Sequence, residues 1–260
     1  FLALDGRTPV TRFTRLPMPA IPWPQDRPLR LLFTGASPAT LPRLDTAAEW
    51  AGVERALAPV VAAGRIEAKA IPQGATLADL LAGLRRGVDL WHFAGHGTDE
   101  GIVFVGAGGR EMQVEAETLG QQLAGEAVRL AVLNACRAGA GGGQAASVAG
   151  ALLRADVPAV LAMQADVSDA AADAFAAAFY DAIAVGQGVD RALTAARKAI
   201  LATKSSTEWW IPALFMRTVD GRLWQEPEQS ASAEKTIVHF TGDRNVVITG
   251  RVGGNVDIRQ

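Results

Sequence analysis

Six short apolar runs alternate with segments of helical periodicity between residues 29 and 219. Most of these runs are rich in Val, Leu, Ile and Phe and end at Gly or at a polar residue, as buried β-strands do. Strands that alternate with helices predict a sheet with helices packed on both faces. The sequence therefore predicts a three-layer α/β fold with a mostly parallel six-stranded sheet. The runs are LRLLFTG at 29–35, RIEAKAIP at 65–72, VDLWHFAG at 88–95, VRLAVLNAC at 128–136, VPAVLAMQ at 157–164 and WWIPALFMRTV at 209–219.

Local signals predict where several elements begin and end. Thr76 and Asp79 have the spacing of a capping box at the start of the second helix. Ser168 is placed to cap the helix that follows the fifth strand. Pro59 lies inside the first helical segment, and we expect it to kink or end that helix early. Residues 102–114, IVFVGAGGREMQV, have the alternation and the Gly-rich turn of a hairpin.

The two ends of the chain differ in composition from its centre. Residues 1–28 are rich in Pro, which favours extended chain, and we interpret them as an arm. Residues 29–225 form the predicted α/β domain, and residues 226–260 combine a polar linker with short strands punctuated by Gly. That tail either packs on the α/β domain, begins a further domain, or pairs edge to edge with another chain. Because the chain begins at Phe1, we expect it to be a piece of a longer protein.

The composition argues against several classes of partner and compartment. The net charge of −2 provides no basic field, so neither nucleic acid nor a membrane is predicted as a direct partner. No apolar stretch has the length of a membrane span. The single Cys excludes an internal disulfide, argues against a zinc framework, and predicts a reducing, cytoplasmic location. The chain also lacks a Walker motif for phosphate.

Two similar apolar runs end in residues of the types that act in catalysis, a histidine and a cysteine. LWHFAGHG, residues 90–97, contains His96, and AVLNACRAG, residues 131–139, contains the only cysteine, Cys136. Ligands and catalytic groups gather beyond the carboxyl ends of the strands in a parallel sheet. If the two strands are neighbours, their axes lie roughly 4.8 Å apart, and side chains that leave the strand ends share one cleft. A Cys thiolate with a His as base and acid suits nucleophilic catalysis.

The residues around this pair fit the same interpretation. Gly97 lets a carbonyl substrate approach the backbone, and its N–H together with that of Cys136 would form an oxyanion hole. A lone Cys in an apolar run is more often a small buried hydrophobe, but its pairing with a His–Gly strand end favours catalysis. His92, inside the strand, is interpreted as a buried His bonded to a neighbour rather than as a metal ligand.

HFAGHG followed by LNACRAG resembles the CHAT branch of the caspase-like peptidases, the clan of caspases, metacaspases and separase. The resemblance covers most of residues 29–219. It implies a caspase-like fold with adjacent His and Cys strands, and a cysteine endopeptidase with His96 as base and Cys136 as nucleophile, which needs no metal or other cofactor. It also implies a protein substrate and a sensor or activator region in the same protein or a partner. In bacteria, such domains often serve stress or antiviral defence.

The residue preferred before the scissile bond depends on the pocket that receives it. Related metacaspases carry an Asp two residues before the catalytic Cys, where it pairs with a basic substrate side chain, whereas this sequence has Asn134. A neutral amide does not supply that charge, so we expect an uncharged or apolar residue before the scissile bond. Asp166, after the fifth strand, either lines the same pocket or is an ordinary loop acid.

Two other functions stay open at this point. The fold could be an inactive scaffold that recruits partners through the C-terminal β segment, although the intact His–Cys pair argues against loss of activity. The chain could also be a thiol hydrolase or acyltransferase on a similar sheet. Against this, its Cys lies in an NAC sequence rather than in the G-x-C-x-G turn of a nucleophile elbow.

Overall fold

The computed structural model describes most of the predicted α/β domain. Contacts divide the chain into a unit of residues 1–227 and a unit of residues 228–260, and every described residue belongs to the first. The predicted linker and β tail, residues 226–260, lie outside the described residues. The described residues are 4, 12–13, 23–24, 27–98, 100–136, 144–204, 206–218 and 220–225.

Strands and helices alternate along the described chain, as the sequence periodicity predicts. In chain order they are β1 (Arg12–Phe13), β2 (Trp23–Pro24), β3 (Leu29–Ala36), α1 (Thr46–Ala62), β4 (Ile66–Ile71), α2 (Leu77–Leu84), β5 (Leu90–His96), β6 (Gly101–Val105), a 3-10 helix (Ala107–Gly109), β7 (Glu111–Glu115), α3 (Ala116–Leu123), β8 (Leu130–Cys136), α4 (Gln144–Arg154), β9 (Ala159–Met163), α5 (Asp169–Ala184), α6 (Val189–Leu201), a 3-10 helix (Ser206–Trp210), β10 (Pro212–Met216) and β11 (Trp224–Gln225).

The main sheet has the strand order β1-β10-β9-β8-β5-β3-β4. β10 runs antiparallel to β9, and the other neighbours in this sheet are parallel. The predicted strands correspond to β3, β4, β5, β8, β9 and β10, so the mostly parallel six-stranded sheet is confirmed, with the two-residue β1 added beside β10. The predicted hairpin is the β6–β7 pair, and β2 pairs with β11 in a separate small sheet.

Helices cover both faces of the main sheet, because apolar side chains alternate between the faces along each strand. On one face, Leu90 and Ala94 of β5 pack with residues of α1, α5 and α6. On the other face, Trp91 and Phe93 pack with residues of α2, α3, α4 and the β6–β7 hairpin. All four side chains are fully buried, and burial of this apolar surface is the main source of stability.

Two predicted helix caps are confirmed. Thr76 and Asp79 form the capping box of α2, in which each side chain accepts from the backbone N–H of the other residue. The Ser168 side chain accepts from the Ala171 N–H at the start of α5. None of the helices in the described ranges combines the length and the apolar character needed to cross a membrane.

Two predicted element limits are wrong. α1 continues through Pro59 to Ala62. Pro59 lies in the last turn, where its missing N–H frees only the carbonyl of Arg55, an exposed residue whose backbone water can reach. Trp209 and Trp210 belong to the 3-10 helix before β10 and not to the strand. An apolar run does not by itself distinguish a strand from a short helical turn.

Candidate active site

The carboxyl ends of β5 and β8 meet near the middle of the main sheet. The two strands are parallel neighbours over their full length, and the register pairs His96 with Cys136, the last residue of each strand. Neighbouring strands lie about 4.8 Å apart. The predicted adjacency of the two strands is therefore confirmed. The two residues predicted to carry catalysis stand side by side at the edge where parallel sheets bind ligands.

His96 is held by a backbone carbonyl group. Its Nε2 lies 2.8 Å from the carbonyl oxygen of Pro42, in the loop 37–45 between β3 and α1. A carbonyl oxygen only accepts hydrogen bonds, so Nε2 carries the proton, and the neutral ring keeps Nδ1 as its basic nitrogen. The side chain is partly exposed, so a substrate can approach it.

The loop that supplies this carbonyl is tied in several places. Leu44 donates its N–H to Ser37 Oγ at 2.9 Å, which closes the loop on itself. Ala39 donates its N–H to the carbonyl of Gly109 at 2.9 Å, at the tip of the β6–β7 hairpin. Thr40 Oγ1 accepts a backbone N–H of β7 at 3.1 Å. Sequence reasoning missed this contact to His96, because every residue carries a carbonyl and no side-chain signature marks one.

Gly97 follows β5 and forms an isolated antiparallel bridge with Ile102 of β6. The hydrogen bond beside this bridge is donated by the Thr98 N–H to the Gly101 carbonyl at 2.9 Å. In a bridge of this kind the flanking residues carry the bonds, so the Gly97 N–H is not used by the pairing. Its position next to the strand end of Cys136 suits an oxyanion donor, a role that stays a prediction.

A chain of polar side chains lies behind His96, between the sheet and helices α1 and α5. His92 is 5 % exposed, and its Nδ1 lies 2.6 Å from the Tyr180 hydroxyl and its Nε2 3.2 Å from Glu49 Oε1. Asn134 donates from Nδ2 to the same Glu49 oxygen at 2.9 Å. In the neutral ring, Tyr180 donates to Nδ1 while Nε2 donates to the carboxylate. The prediction that His92 is a buried His bonded to its neighbours is confirmed.

The Tyr180 hydroxyl is a permanent donor in this chain. Burial raises the pKa of Tyr180 well above its ordinary value, and the nearby negative charge of Glu49 raises it further. The hydroxyl therefore stays protonated and can donate to His92 throughout the physiological range. The chain thus ends at a single carboxylate, to which both His92 and Asn134 are bonded.

Glu49 is the residue of this site that sequence reasoning missed. It lies in the first turn of α1, and its side chain is 20 % exposed. The predicted pocket residue Asn134 is also partly exposed. The expectation of an uncharged pocket considered Asn134 alone, whereas the structure brings a carboxylate against its amide. An acid in the first helical turn is common because it complements the helix dipole, so the sequence did not single this one out.

Asp166, the second predicted pocket residue, lies exposed in the loop between β9 and α5, at the same edge of the sheet. Within the described residues, no hydrogen bond joins it to Asn134.

Trp210 is 52 % exposed, and its carbonyl oxygen lies 3.4 Å from Gln164 Nε2, just after β9. In the part of the chain that the structure describes, His, Cys, Asp and Glu side chains form no group that could hold a metal ion.

The chain is similar to one family of domains and to several solved structures. The CHAT domain family matches residues 15–222. The Arg-specific cysteine proteinase gingipain R (RGPB) is 15% identical over 79% of this chain and 50% of its own, with a TM-score of 0.52. The complex of the pro- and mature domains of Porphyromonas gingivalis RgpB gives 14% identity over 80% of this chain and 51% of that chain, with a TM-score of 0.53. Caspase-1 from Spodoptera frugiperda gives 10% identity over 86% of this chain and 100% of its own, with a TM-score of 0.46.

The structural likeness to gingipain R establishes the fold, and the chain spans about half the length of that protein. A comparison with curated proteins found no match. The family match covers well over half of the chain, and it confirms the resemblance that the His and Cys motifs indicate. The fold is that of the caspase-like cysteine peptidases, and the chain belongs to the CHAT domain family.

Proposed function

We propose that this protein is a cysteine endopeptidase that cleaves a protein partner, with Cys136 as nucleophile and His96 as base and acid. The observation that carries the proposal is the register pairing of these residues at the carboxyl ends of β5 and β8. Membership of the CHAT domain family and the fold shared with a cysteine proteinase, gingipain R, support the same class. The Pro42 carbonyl supports the role of His96, because it fixes the ring and leaves Nδ1 basic.

The reaction follows from these roles. His96 takes the thiol proton of Cys136, and the thiolate forms a C–S bond with the scissile carbonyl carbon while the π electron pair moves to oxygen. The N–H groups of Gly97 and Cys136 stabilise that oxyanion. The C–N bond then breaks, and the imidazolium returns its proton to the leaving amine. Water, deprotonated by His96, attacks the thioester, which releases the acid product and restores the thiol.

The setting of this peptidase is proposed from the family resemblance alone. It would be a regulated effector of bacterial stress or antiviral defence in the cytoplasm, switched on by a sensor or activator region of the same protein or of a partner. Residues 29–225 would form the protease domain, residues 1–28 an arm, and residues 226–260 a linker and β tail. The net charge of −2 supports a protein substrate without direct contact to nucleic acid or membrane.

The chain offers a clean test, because Cys136 is its only cysteine and a thiol-directed probe reports on a single site. We expect a peptidyl acyloxymethyl ketone to label the wild-type chain and Cys136→Ala to abolish labelling. His96→Ala should lower the labelling rate at least about 100-fold near neutral pH, since general acid–base catalysis contributes about 10²–10⁴-fold. Mass spectrometry measures the rate, and thermal unfolding shows whether the variants fold.

Equal labelling rates for wild type and His96→Ala would contradict the proposed dyad. A folded wild-type chain that no peptidyl probe labels would favour the other candidate, a protease-fold scaffold that recruits partners through residues 226–260. Deletion of those residues would then abolish partner binding and leave the rest of the chain folded.

A further inference from the structure

We propose that Glu49 forms the acidic end of the pocket for the residue before the scissile bond, and that the peptidase cleaves after Lys or Arg. This inference rests on the proposed function, since it assigns the specificity of the same site. It departs from the expectation of an uncharged substrate residue, which considered Asn134 without its hydrogen-bond partner.

The Glu49 carboxylate lies at a distance from the carboxyl end of β8 that a long basic side chain can span. Its partner Asn134 stands two positions before Cys136 in β8, which is roughly 6.6 Å along a strand. A substrate whose scissile carbonyl is held at the end of β8 can direct its side chain back over that distance. Lys and Arg carry their charge at the end of a long methylene stem, which suits this spacing.

Next to this carboxylate lie one small side chain and one partly exposed side chain, and a buried side chain lies further back along β5. Ala94 of β5 is the register partner of Asn134, so the adjacent position presents only a methyl group. The Glu49 side chain is 20 % exposed and Asn134 is partly exposed, so both polar groups can meet a substrate. His92, two positions further back on β5, is 5 % exposed and closes the floor.

The internal partners of Glu49 orient its carboxylate through one of its two oxygens. Asn134 and His92 both donate to Oε1, at 2.9 and 3.2 Å, so neither of them occupies Oε2. A carboxylate accepts about four hydrogen bonds, so Oε2 can accept from a substrate. The basic residue of α1, Arg55, bonds to Asp173 at 2.9 Å instead. A substrate Lys or Arg at Oε2 would supply the counter-charge.

The test compares labelling rates of the wild-type chain with acyloxymethyl ketones that differ only in the side chain before the reactive carbonyl, which is Arg, Lys or norleucine. We expect the Arg and Lys probes to react with Cys136 at least about tenfold faster than the norleucine probe, because a hydrogen bond to a charged group contributes at least that much. Glu49→Gln keeps an acceptor oxygen for Asn134 and His92 but removes the charge. It should abolish the preference, because the Arg and Lys rates fall to the norleucine rate of the same variant.

Glu54→Gln is the matched control, because it removes the charge of an exposed Glu in the same helix and should keep the preference. A wild-type chain that reacts equally fast with norleucine and Arg, or a Glu49→Gln variant that keeps the preference, would overturn the assignment and leave the peptidase standing. An equal loss with all three probes in Glu49→Gln would also overturn it, since Glu49 would then only position its neighbours. No labelling of Cys136 by any probe, whether or not the activator region is present, would contradict the peptidase itself.

Discussion

Carboxylates lie at both ends of the strands of the main sheet, but the surroundings of those carboxylates differ. The side where most strands begin is called the amino edge here, and the side where they end is called the carboxyl edge. At the amino edge, Asp89 is 4 % exposed and accepts from both terminal nitrogens of Arg27, at 2.6 and 3.0 Å, and from the Arg30 N–H at 2.8 Å. At the carboxyl edge, Glu49 is more exposed, and it accepts from Asn134 and His92 and from no Arg or Lys side chain among the described residues. A carboxylate whose charge is compensated stabilises the fold, whereas one whose charge is uncompensated is available for a ligand.

Basic residues at the amino edge are engaged in the same way as Asp89. Arg217 donates to the carbonyl of Leu153 and to the carboxylate of Asp156. The pKa of Arg129 is lowered to about 10, mainly by burial and also by the charge of Arg217, whereas the charge of Asp89 opposes the shift. Arg129 is therefore still protonated at neutral pH. At this edge the buried residues Asp89, Arg129 and Arg217 each interact with an opposite charge, so their charges are compensated within the fold.

The largest change in stability that would sharpen this contrast is expected at Asp89. Asp89→Ala removes the shared acceptor of Arg27 and the Arg30 N–H, and we expect it to lower the free energy of unfolding by about 2–4 kcal/mol. Glu49→Gln at the other edge keeps an acceptor oxygen and should lower that free energy by less than about 1 kcal/mol. Urea unfolding of both variants measures the difference. Equal losses at the two edges would break the comparison.

A smaller effect is expected at Tyr180, behind the carboxyl edge. Tyr180→Phe leaves the buried His92 Nδ1 without its donor, and the free energy of unfolding should fall by about 1–2 kcal/mol. The preference for Arg over norleucine probes should persist, because Asn134 still orients Glu49. Urea unfolding and probe labelling test the two statements separately. A lost preference at unchanged stability would show that this tyrosine acts on specificity instead.

The smallest effect is expected at Asp190, in the first turn of α6, whose Oδ1 has no hydrogen-bond partner among the described residues. Burial raises the pKa of Asp190, so the folded state binds its proton more tightly than the unfolded state does. The stability that this proton contributes is lost as the pH rises through the raised pKa. Asp190→Asn should therefore increase the free energy of unfolding at pH 7, by no more than about 1 kcal/mol, and less at pH 4. Urea unfolding at both pH values tests this, and a loss at pH 7 would mean that the charge favours the helix terminus.

Most features that depend on neighbouring residues could be predicted from the sequence, with the limits at Pro59 and Trp209 as exceptions. The apolar runs predict the strands of the sheet, and spacings such as that of Thr76 and Asp79 predict the helix caps. The pairing of the His96 and Cys136 strands follows from their similar endings and from the resemblance to a known family. These inferences succeed because each uses a signal that lies within one element or at its end.

Features that depend on distant residues could not be predicted. Glu49 meets Asn134 across 85 residues, and Pro42 meets His96 across 54. Neither a glutamate in a first helical turn nor a backbone carbonyl has a distinctive pattern, since both occur in nearly every helical protein. Their roles become visible only when the fold brings α1 and its preceding loop against the ends of β5 and β8.

The contact between His96 and the Pro42 carbonyl has a consequence for mutational tolerance. Most substitutions at position 42 preserve it, because every residue offers the same backbone acceptor. What must be preserved is the path of the loop, which Ser37 and Thr40 hold through their hydroxyl groups. We therefore expect most substitutions at position 42 to leave the contact intact, whereas loss of the hydroxyl group of Ser37 or Thr40 should displace the carbonyl that holds His96.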